Sequence, residues 1–151
     1  MKKLLVVAIV LFAVNIFAQE AKVPANVKTK FQALYPSAEE VKWDVEENYF
    51  EVTFESEDDV DMSLLFDEKG NIVEIETEIE TEDLPVIIKN RIEKDFADWD
   101  LEEAAKISSN GKTTYEAELE KGEKKMDAIF FPDGKLVKKI VKKEDDEKGA
   151  E

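Results

Sequence analysis

Two stretches of the chain place hydrophobic residues at helical spacing, whereas most of the remainder alternates between hydrophobic and polar positions. The stretches are Val23–Pro36 and Leu84–Ala97, and each opens on an apolar residue followed by proline. Proline suits the first turn of a helix, because its missing N–H is not needed there. Spacings of three and four residues place apolar side chains on one face. The apolar positions of the two predicted helices are Val27, Phe31 and Leu34, and Ile88, Ile92 and Phe96.

Four short alternating segments follow each predicted helix, as is typical of strands that bury one face. In the first half they are VKWDVE, YFEVTFE, VDMSLLF and NIVEIETEIE, and in the second EEAAKIS, TTYEAELE, KKMDAIF and KLVKKIV. FEVTF corresponds to YEAEL, and MSLLFDEKGNIV corresponds to MDAIFFPDGKLV, at an offset of roughly 61 to 65 residues. This correspondence indicates a duplication of one helix-plus-four-strand unit.

The duplication predicts the fold class and the domain boundaries. We expect an α+β protein, a tandem repeat of one helix plus a four-stranded antiparallel sheet, with the helices on one face of the sheets. The repeats are predicted to span residues 19–80 and 81–144. Residues 145–151 mix charges with almost no apolar residue, which predicts a disordered tail.

The acidic stretch FDEKGN, around Gly70, raises the question of a cation-binding loop. Its glycine has a counterpart in Gly134, whereas its acidic residues are replaced in FPDGK. A calcium loop needs oxygen ligands at alternate positions and a glutamate at its twelfth position, and neither stretch has them. We therefore interpret both stretches as hairpin turns and expect no metal site.

Alternation within the strands assigns one face to the core and leaves the other open. Val41, Trp43, Val73 and Ile79 are among the residues expected in the core. The open face then receives rows of carboxylates. These indicate either a solvated surface that discourages edge pairing or a docking surface for a basic partner, since like charges along a strand repel one another. The candidate binding residues are Tyr49 as an aromatic anchor, Glu51, Thr53, Glu74, Glu76, Glu116 and Glu118.

Three hydrophobic residues complicate the open face. Leu65, Ile129 and Phe131 would lie on it under strict alternation. Either a β-bulge turns them inward, or the open face carries an apolar patch of the kind that marks partner sites.

The N-terminal residues 1–18 have the features of a secretory signal peptide. Lys2 and Lys3 precede an apolar run from Leu4 to Val14, and the small residue Ala18 follows. The run is shorter than the roughly 20 residues that a membrane span needs. We expect an exported protein that begins near residue 19, with no stable membrane insertion after cleavage.

The charge balance narrows the class of partner. The chain has 21 basic and 37 acidic residues, and without the two lysines of residues 1–18 the net charge is near −18. Such a surface repels nucleic-acid phosphates, so we expect no nucleic-acid partner and favour a basic protein or peptide.

The composition also argues against catalysis. The chain has no histidine and no cysteine, which removes the usual general base, the strongest nucleophile and the ordinary zinc ligands. Only five glycines are present, and no phosphate-binding loop is formed. We expect no enzyme activity and no cofactor. A weak cation-binding or stress-related acidic protein without a defined partner is the alternative function, and a hydrolase using two carboxylates is a third.

Several motifs together resemble the PepSY-like family of small exported proteins. They are VPxxVxxxFxxxYPxAxxVxW over Val23–Trp43, the FDEKGN hairpin and the second LP helix. The resemblance covers residues 19–142, and the family is also described as similar to beta-lactamase-inhibitor protein. It implies tandem helix-plus-sheet units whose sheets form one concave surface, a periplasmic location in a Gram-negative bacterium, and binding rather than turnover. Inhibition of a peptidase or another envelope protein is one form that such binding takes. The resemblance supplies no catalytic residues and leaves the oligomeric state open.

Overall fold

A computed structural model describes residues 22–46 and 48–142. The predicted signal peptide and the predicted tail at residues 145–151 lie outside the described residues. Along the chain, one helix and four strands occur twice, in the order that the sequence predicts. The elements are α1 (Ala25–Leu34), β1 (Glu39–Glu46), β2 (Tyr49–Glu55), β3 (Asp61–Asp67), β4 (Ile72–Ile79), a 3₁₀ turn (Thr81–Asp83), α2 (Val86–Asp95), β5 (Asp100–Ser109), β6 (Lys112–Lys121), β7 (Lys124–Phe130) and β8 (Leu136–Lys142).

Both helices begin directly after a proline. Pro24 and Pro85 are the N-cap residues, one position before the first helical turn in which the sequence analysis placed them. Their carbonyl groups accept the first backbone hydrogen bonds, from Val27 N–H at 3.1 Å and from Ile88 N–H at 2.8 Å. Proline fits this position because it donates no hydrogen bond and its backbone is already restricted.

The eight strands form one sheet in the order β1-β2-β3-β4-β5-β6-β7-β8. The prediction of two separate four-stranded sheets is wrong on this point. Separate sheets would leave β4 and β5 as edge strands with unpaired backbone groups, whereas neighbouring positions in one sheet satisfy them. The chain divides into two compact units. The first comprises the described residues up to Thr77 together with Ser108–Gly111, and the second comprises Glu78–Ile107 and the residues from Lys112 onward.

The core of the first unit lies between α1 and strands β1 to β4. Phe31 stands at its centre, with its ring centroid 5.0 Å from that of Phe54 and 5.5 Å from that of Trp43. Leu34 is 50% exposed, against the prediction. Tyr35 takes its place beside the strands, 4.6 Å from Phe54, at the end of the helix.

Two strand irregularities change the predicted core of the first unit. Between β3 and β4 the register shifts after Leu65, so that Ile72 pairs with Phe66 and packs on the core. Val73 is the extra residue of this bulge and does not join the core, although alternation predicted that it would. A second shift lies between Glu39 and Lys42, and it leaves Val41 exposed. A bulge breaks alternation because two residues of one strand then oppose a single residue of its partner.

The core of the second unit lies between α2 and its strands. Ile88 and Ile92 of α2 are buried, as predicted. The ring of Phe96 packs edge to face on that of Phe130, with 6.4 Å between the ring centroids. Ile79 packs against this cluster. In each unit, the helix therefore covers one side of the strands of that unit.

The stretch around Gly70 is a hairpin turn, as interpreted from the sequence. Gly70 has a φ of 77°, in the left-handed region that glycine adopts without strain. Asp67 Oδ1 accepts hydrogen bonds from the backbone N–H groups of Lys69 at 2.9 Å and Asn71 at 2.7 Å. The hydrogen bonds from Asn71 hold the pKa of the Asp67 carboxyl below its usual value. The Asp67 side chain therefore stabilises the backbone of the turn.

Candidate functional site

The strand residues that point away from the helices form a polar surface in each unit, here named the open face. In the first unit, Glu51 pairs across strands with Leu65, and Leu65 pairs with Glu74. The next row joins Thr53, Ser63 and Glu76. In the second unit the corresponding rows are Glu116, Ile129 and Lys138, and then Glu118, Asp127 and Ile140.

Burial divides the predicted site residues into two groups. Tyr49 is 44% exposed, and Thr53 and Glu74 are half-buried. The other four are buried, which differs from the solvated row of carboxylates that alternation suggested. They stand on inner strands, where the side chains of neighbouring strands flank them on both sides. These buried residues are Glu51, Glu76, Glu116 and Glu118.

Leu65 and Ile129 lie on the open face, since β2 and β3 pair without interruption from Tyr49↔Asp67 to Glu55↔Asp61. Ile129 likewise pairs with Glu116 in the regular ladder between β6 and β7. Strict alternation is therefore correct for these two residues, and no bulge turns them inward. Phe131 is half-buried and follows the end of β7.

In the first unit, a hydrogen bond joins two strands across the open face. The Ser63 hydroxyl donates to Glu51 Oε1 at 2.8 Å, and both side chains are buried. A buried carboxylate requires such a donor, because an unsatisfied polar group in a water-poor environment is costly. Ser63 did not figure among the predicted site residues, although its position in β3, two residues before Leu65, places it on the same face.

In the second unit, a cluster of charged side chains forms around Lys142. Its Nζ lies 2.6 Å from Glu118 Oε2 and 3.0 Å from Asp127 Oδ1. Lys125 Nζ is 3.6 Å from Glu118 Oε1. Asp127 is only 1% exposed, so the ion pair with Lys142 is shielded from water. We name these four residues the Lys142 cluster.

Of the Lys142 cluster, only Glu118 was among the residues predicted from the sequence. Asp127 could have been found, since it aligns with Ser63 in the duplication and alternation places it on the open face. Lys142 and Lys125 could not, because cross-strand register decides which side chains meet, and register is not visible in a local pattern.

The pKa values of the second unit's open face reflect this crowding. Burial, together with the negative charge of Asp127, raises the pKa of Glu116 to about 7. Burial likewise raises the pKa of Asp127, against the attraction of Lys142. Burial and the charge of Glu118 raise that of Glu103 on β5. For Lys142, burial would lower the pKa, but the hydrogen bond to Glu118 and the charge of Asp127 outweigh it and raise the value.

Two surface concavities in the described part of the chain are lined in part by helix residues, one in each unit. One, of about 460 Å³, is lined by Ile87, Arg91 and the β7–β8 hairpin in the second unit. The other, of about 310 Å³, is lined by residues of α1 and β1 in the first unit, including Tyr35 and Trp43. None of the predicted binding residues lines either concavity.

The described part of the chain has neither a group of side chains suited to a metal ion nor a helix suited to crossing a membrane. Within residues 22–46 and 48–142, no group of three or more acidic, histidine or cysteine side chains is arranged to hold a metal ion. No helix among these residues has the length and apolar character needed to cross a membrane. The polar contacts described on the open face are hydrogen bonds and ion pairs.

Comparison with known proteins identifies the family. The protein-family model described as "Putative beta-lactamase-inhibitor-like, PepSY-like" matches residues 15–74 and, in a second overlapping match, residues 48–138. No curated protein matches this chain in sequence. The two matches cover most of the chain and agree with the motifs noted in the sequence.

Solved structures show the same fold at low sequence identity. A DUF2874 family protein from Bacteroides uniformis ATCC 8492 is 19% identical, with a TM-score of 0.68 over 78% of this chain and 88% of that one. A chain described as "putative periplasmic proteins" from Bacteroides eggerthii DSM 20697 is 17% identical, with a TM-score of 0.70 over 79% and 88%. A BLIP-like protein from Bacteroides fragilis NCTC 9343 is 20% identical, with a TM-score of 0.60 over 78% and 85%. The resemblance drawn from the sequence is thus confirmed, and the chain belongs to the PepSY-like, beta-lactamase-inhibitor-like family.

Proposed function

We propose that this protein is an exported periplasmic binding module that docks a basic protein or peptide of the cell envelope on its open face. The observation that carries the proposal is the distribution of side chains between the two faces of the strands. In each unit the helix covers one face, and the other face of the first unit gathers carboxylates around the exposed Tyr49 and the half-buried Leu65. A surface that combines aromatic or apolar anchors with charge is suited to protein recognition.

The N-terminal sequence and a protein of similar fold both support a periplasmic location. The sequence of residues 1–18 has the charged, apolar and small-residue order of a signal peptide. A solved structure of similar fold carries the description "putative periplasmic proteins". Export would bring the acidic face into contact with envelope proteins and peptides.

A binding function, and no catalysis, fits both chemistry and family. The chain has no histidine or cysteine to act as a base or nucleophile. The family is described by its likeness to an inhibitor, and a related fold is described as BLIP-like. Inhibition of a peptidase or another envelope protein is the specific form of binding that these descriptions support, although fold likeness alone does not define a target.

Affinity capture from an envelope extract at physiological salt tests the proposal, with the chain from Gln19 as bait. Glu74→Lys reverses a half-buried charge on the open face and should lower recovery of the partner at least about tenfold, since like charges across an interface are strongly unfavourable. Glu57→Lys makes the same charge change at an exposed position before β3 and should leave recovery unchanged. Glu76 is unsuitable for this test because it is only 5% exposed, and reversing a buried charge disturbs the fold.

Thermal unfolding of both variants provides the control for folding. If the two variants melt alike and capture the partner equally well, the open face is not the docking surface. Capture that disappears with added salt and shows no selectivity would favour the alternative of an acidic protein without a defined partner.

A further inference from the structure

Glu116 differs from every other buried carboxylate of the second unit. It is 8% exposed, yet within the described residues its carboxylate has neither a hydrogen bond nor an ion pair. Its neighbours Glu118 and Asp127 both contact the ammonium group of Lys142. Glu116 therefore faces the cluster without a donor of its own.

The duplication provides an internal comparison for this residue. Glu116 corresponds to Glu51, and Asp127 corresponds to Ser63. In the first unit, the Ser63 hydroxyl donates to Glu51 at 2.8 Å. In the second unit the donor is replaced by a carboxylate, whose negative charge raises the pKa of Glu116 further. The second unit has thus lost the donor that satisfies the equivalent glutamate in the first.

The charges that surround Glu116 leave room for one more cation. The charges that act on Glu116 belong to Asp127, Glu118, Lys142 and Lys138. With Glu116 itself, three carboxylates therefore meet two ammonium groups, and Lys142 already contacts Glu118 and Asp127. Lys138, on β8, is exposed and is the weakest of the charges that act on Glu116. On the neighbouring positions, Glu103 of β5 and Lys125 of β7 interact with Glu118.

We propose that Glu116 receives a single basic side chain, an arginine or a lysine, from a peptide or protein partner on the open face of the second unit. This inference rests on the proposed function and specifies its chemistry. A guanidinium or ammonium group carries the donors that Glu116 lacks and brings the acidic and basic groups into balance. A metal ion is less suited, since no trio of ligating side chains is arranged around one in the described part of the chain.

The affinity of Glu116 for a basic side chain should increase as the pH rises. The pKa of Glu116 is about 7, so its carboxyl is mostly neutral at pH 5.5 and mostly charged at pH 8.0. A cation binds the charged form, and binding must in turn lower the pKa of Glu116. The expected difference in affinity between the two pH values is on the order of tenfold or more.

Nuclear magnetic resonance titration of the chain from Gln19 tests the inference without an identified partner. The probes are acetyl-Gly-Gly-Arg-Gly-Gly-amide and its lysine analogue, with the citrulline and acetyl-lysine peptides as neutral controls. At pH 8.0, at least one of the basic peptides should shift the Glu116 side-chain carboxyl resonance and lower its titration midpoint. The neutral peptides should do neither, and comparison of arginine with lysine identifies the preferred group.

Three variants locate the site. Glu116→Gln should abolish the shifts that the basic peptides cause in the backbone amide resonances of β6 and β7. Asp127→Ser, which restores the hydroxyl donor of the first unit, should weaken the response of Glu116. Glu123→Gln changes an exposed acid between β6 and β7 and should leave that response intact. The inference is overturned if the midpoint of Glu116 in the unmutated protein is unaffected by both basic peptides, or if basic and neutral peptides act alike.

These outcomes are separable from those of the capture experiment. A partner captured through Glu74 while the peptides leave Glu116 unchanged would retain the docking face and remove this site. A peptide response without any captured partner would retain the site and remove the proposed class of partner.

Discussion

At the scale of single residues, Lys142 shows that burial, more than the distance between the charges, determines how much the loss of one partner of an ion pair destabilises the fold. Its Nζ lies 3.0 Å from Asp127 Oδ1, and Lys121 Nζ lies equally far from Asp98 Oδ2. The first pair is buried and the second is exposed. Removing one partner of a buried pair leaves an uncompensated charge away from water, whereas an exposed partner is simply hydrated.

We therefore expect Lys142→Ala to lower the free energy of unfolding by about 3 kcal/mol at pH 7. Lys121→Ala should lower it by less than about 1 kcal/mol. Urea denaturation of both variants measures the difference, and equal losses would show that the Lys142 cluster is not a buried network.

The pH dependence of this loss has a definite sign. The pKa of Asp127 is already raised by burial, and removal of Lys142 should raise it further. As the pH falls through this value, Asp127 becomes neutral and no longer needs the ammonium group. The deficit of Lys142→Ala should therefore shrink at acidic pH, and a deficit that grows on acidification would contradict the explanation.

At the scale of elements, the sequence predicted helices and strands well because their periods are local. The helical spacing around Phe31 and Ile88 and the alternation in β2 and β6 reflect which side of an element faces the core. The bulges at Val41 and Val73 were not predicted, so these two residues were assigned to the core. A bulge depends on how two strands align, and a single strand's pattern does not contain that information.

Adjacent leucines in β3 test the assignment of faces. Leu64 is fully buried in the core of the first unit, whereas Leu65 is half-buried on the open face. Leu64→Ala should cost about 3 kcal/mol of unfolding free energy, because the substitution leaves a cavity in packed surroundings. Leu65→Ala should cost less than half as much. Denaturant unfolding compares them, and a larger loss from Leu65→Ala would mean that the faces are assigned the wrong way round.

At the scale of the whole molecule, the two halves of the chain have the same order of elements and apolar cores, and they differ on their open faces. Helix, strand order and hairpin glycine recur, while Ser63 and Glu74 are replaced by Asp127 and Lys138. The correspondence between the two halves was visible in the sequence because core positions stay apolar even where their size changes, as from Leu64 to Ala128. The polar site was only partly visible, since the acidic positions were recognised but their burial and ion pairing depend on neighbouring strands.

The most direct test of the central claim is site-specific photo-crosslinking in the cell envelope. Benzoylphenylalanine would replace Tyr49, exposed on the open face, or Leu34, exposed on α1, in otherwise identical chains. We predict one discrete covalent adduct from position 49 and none from position 34. An adduct from position 34 with none from position 49 would place the partner on the helix side and contradict docking on the open face.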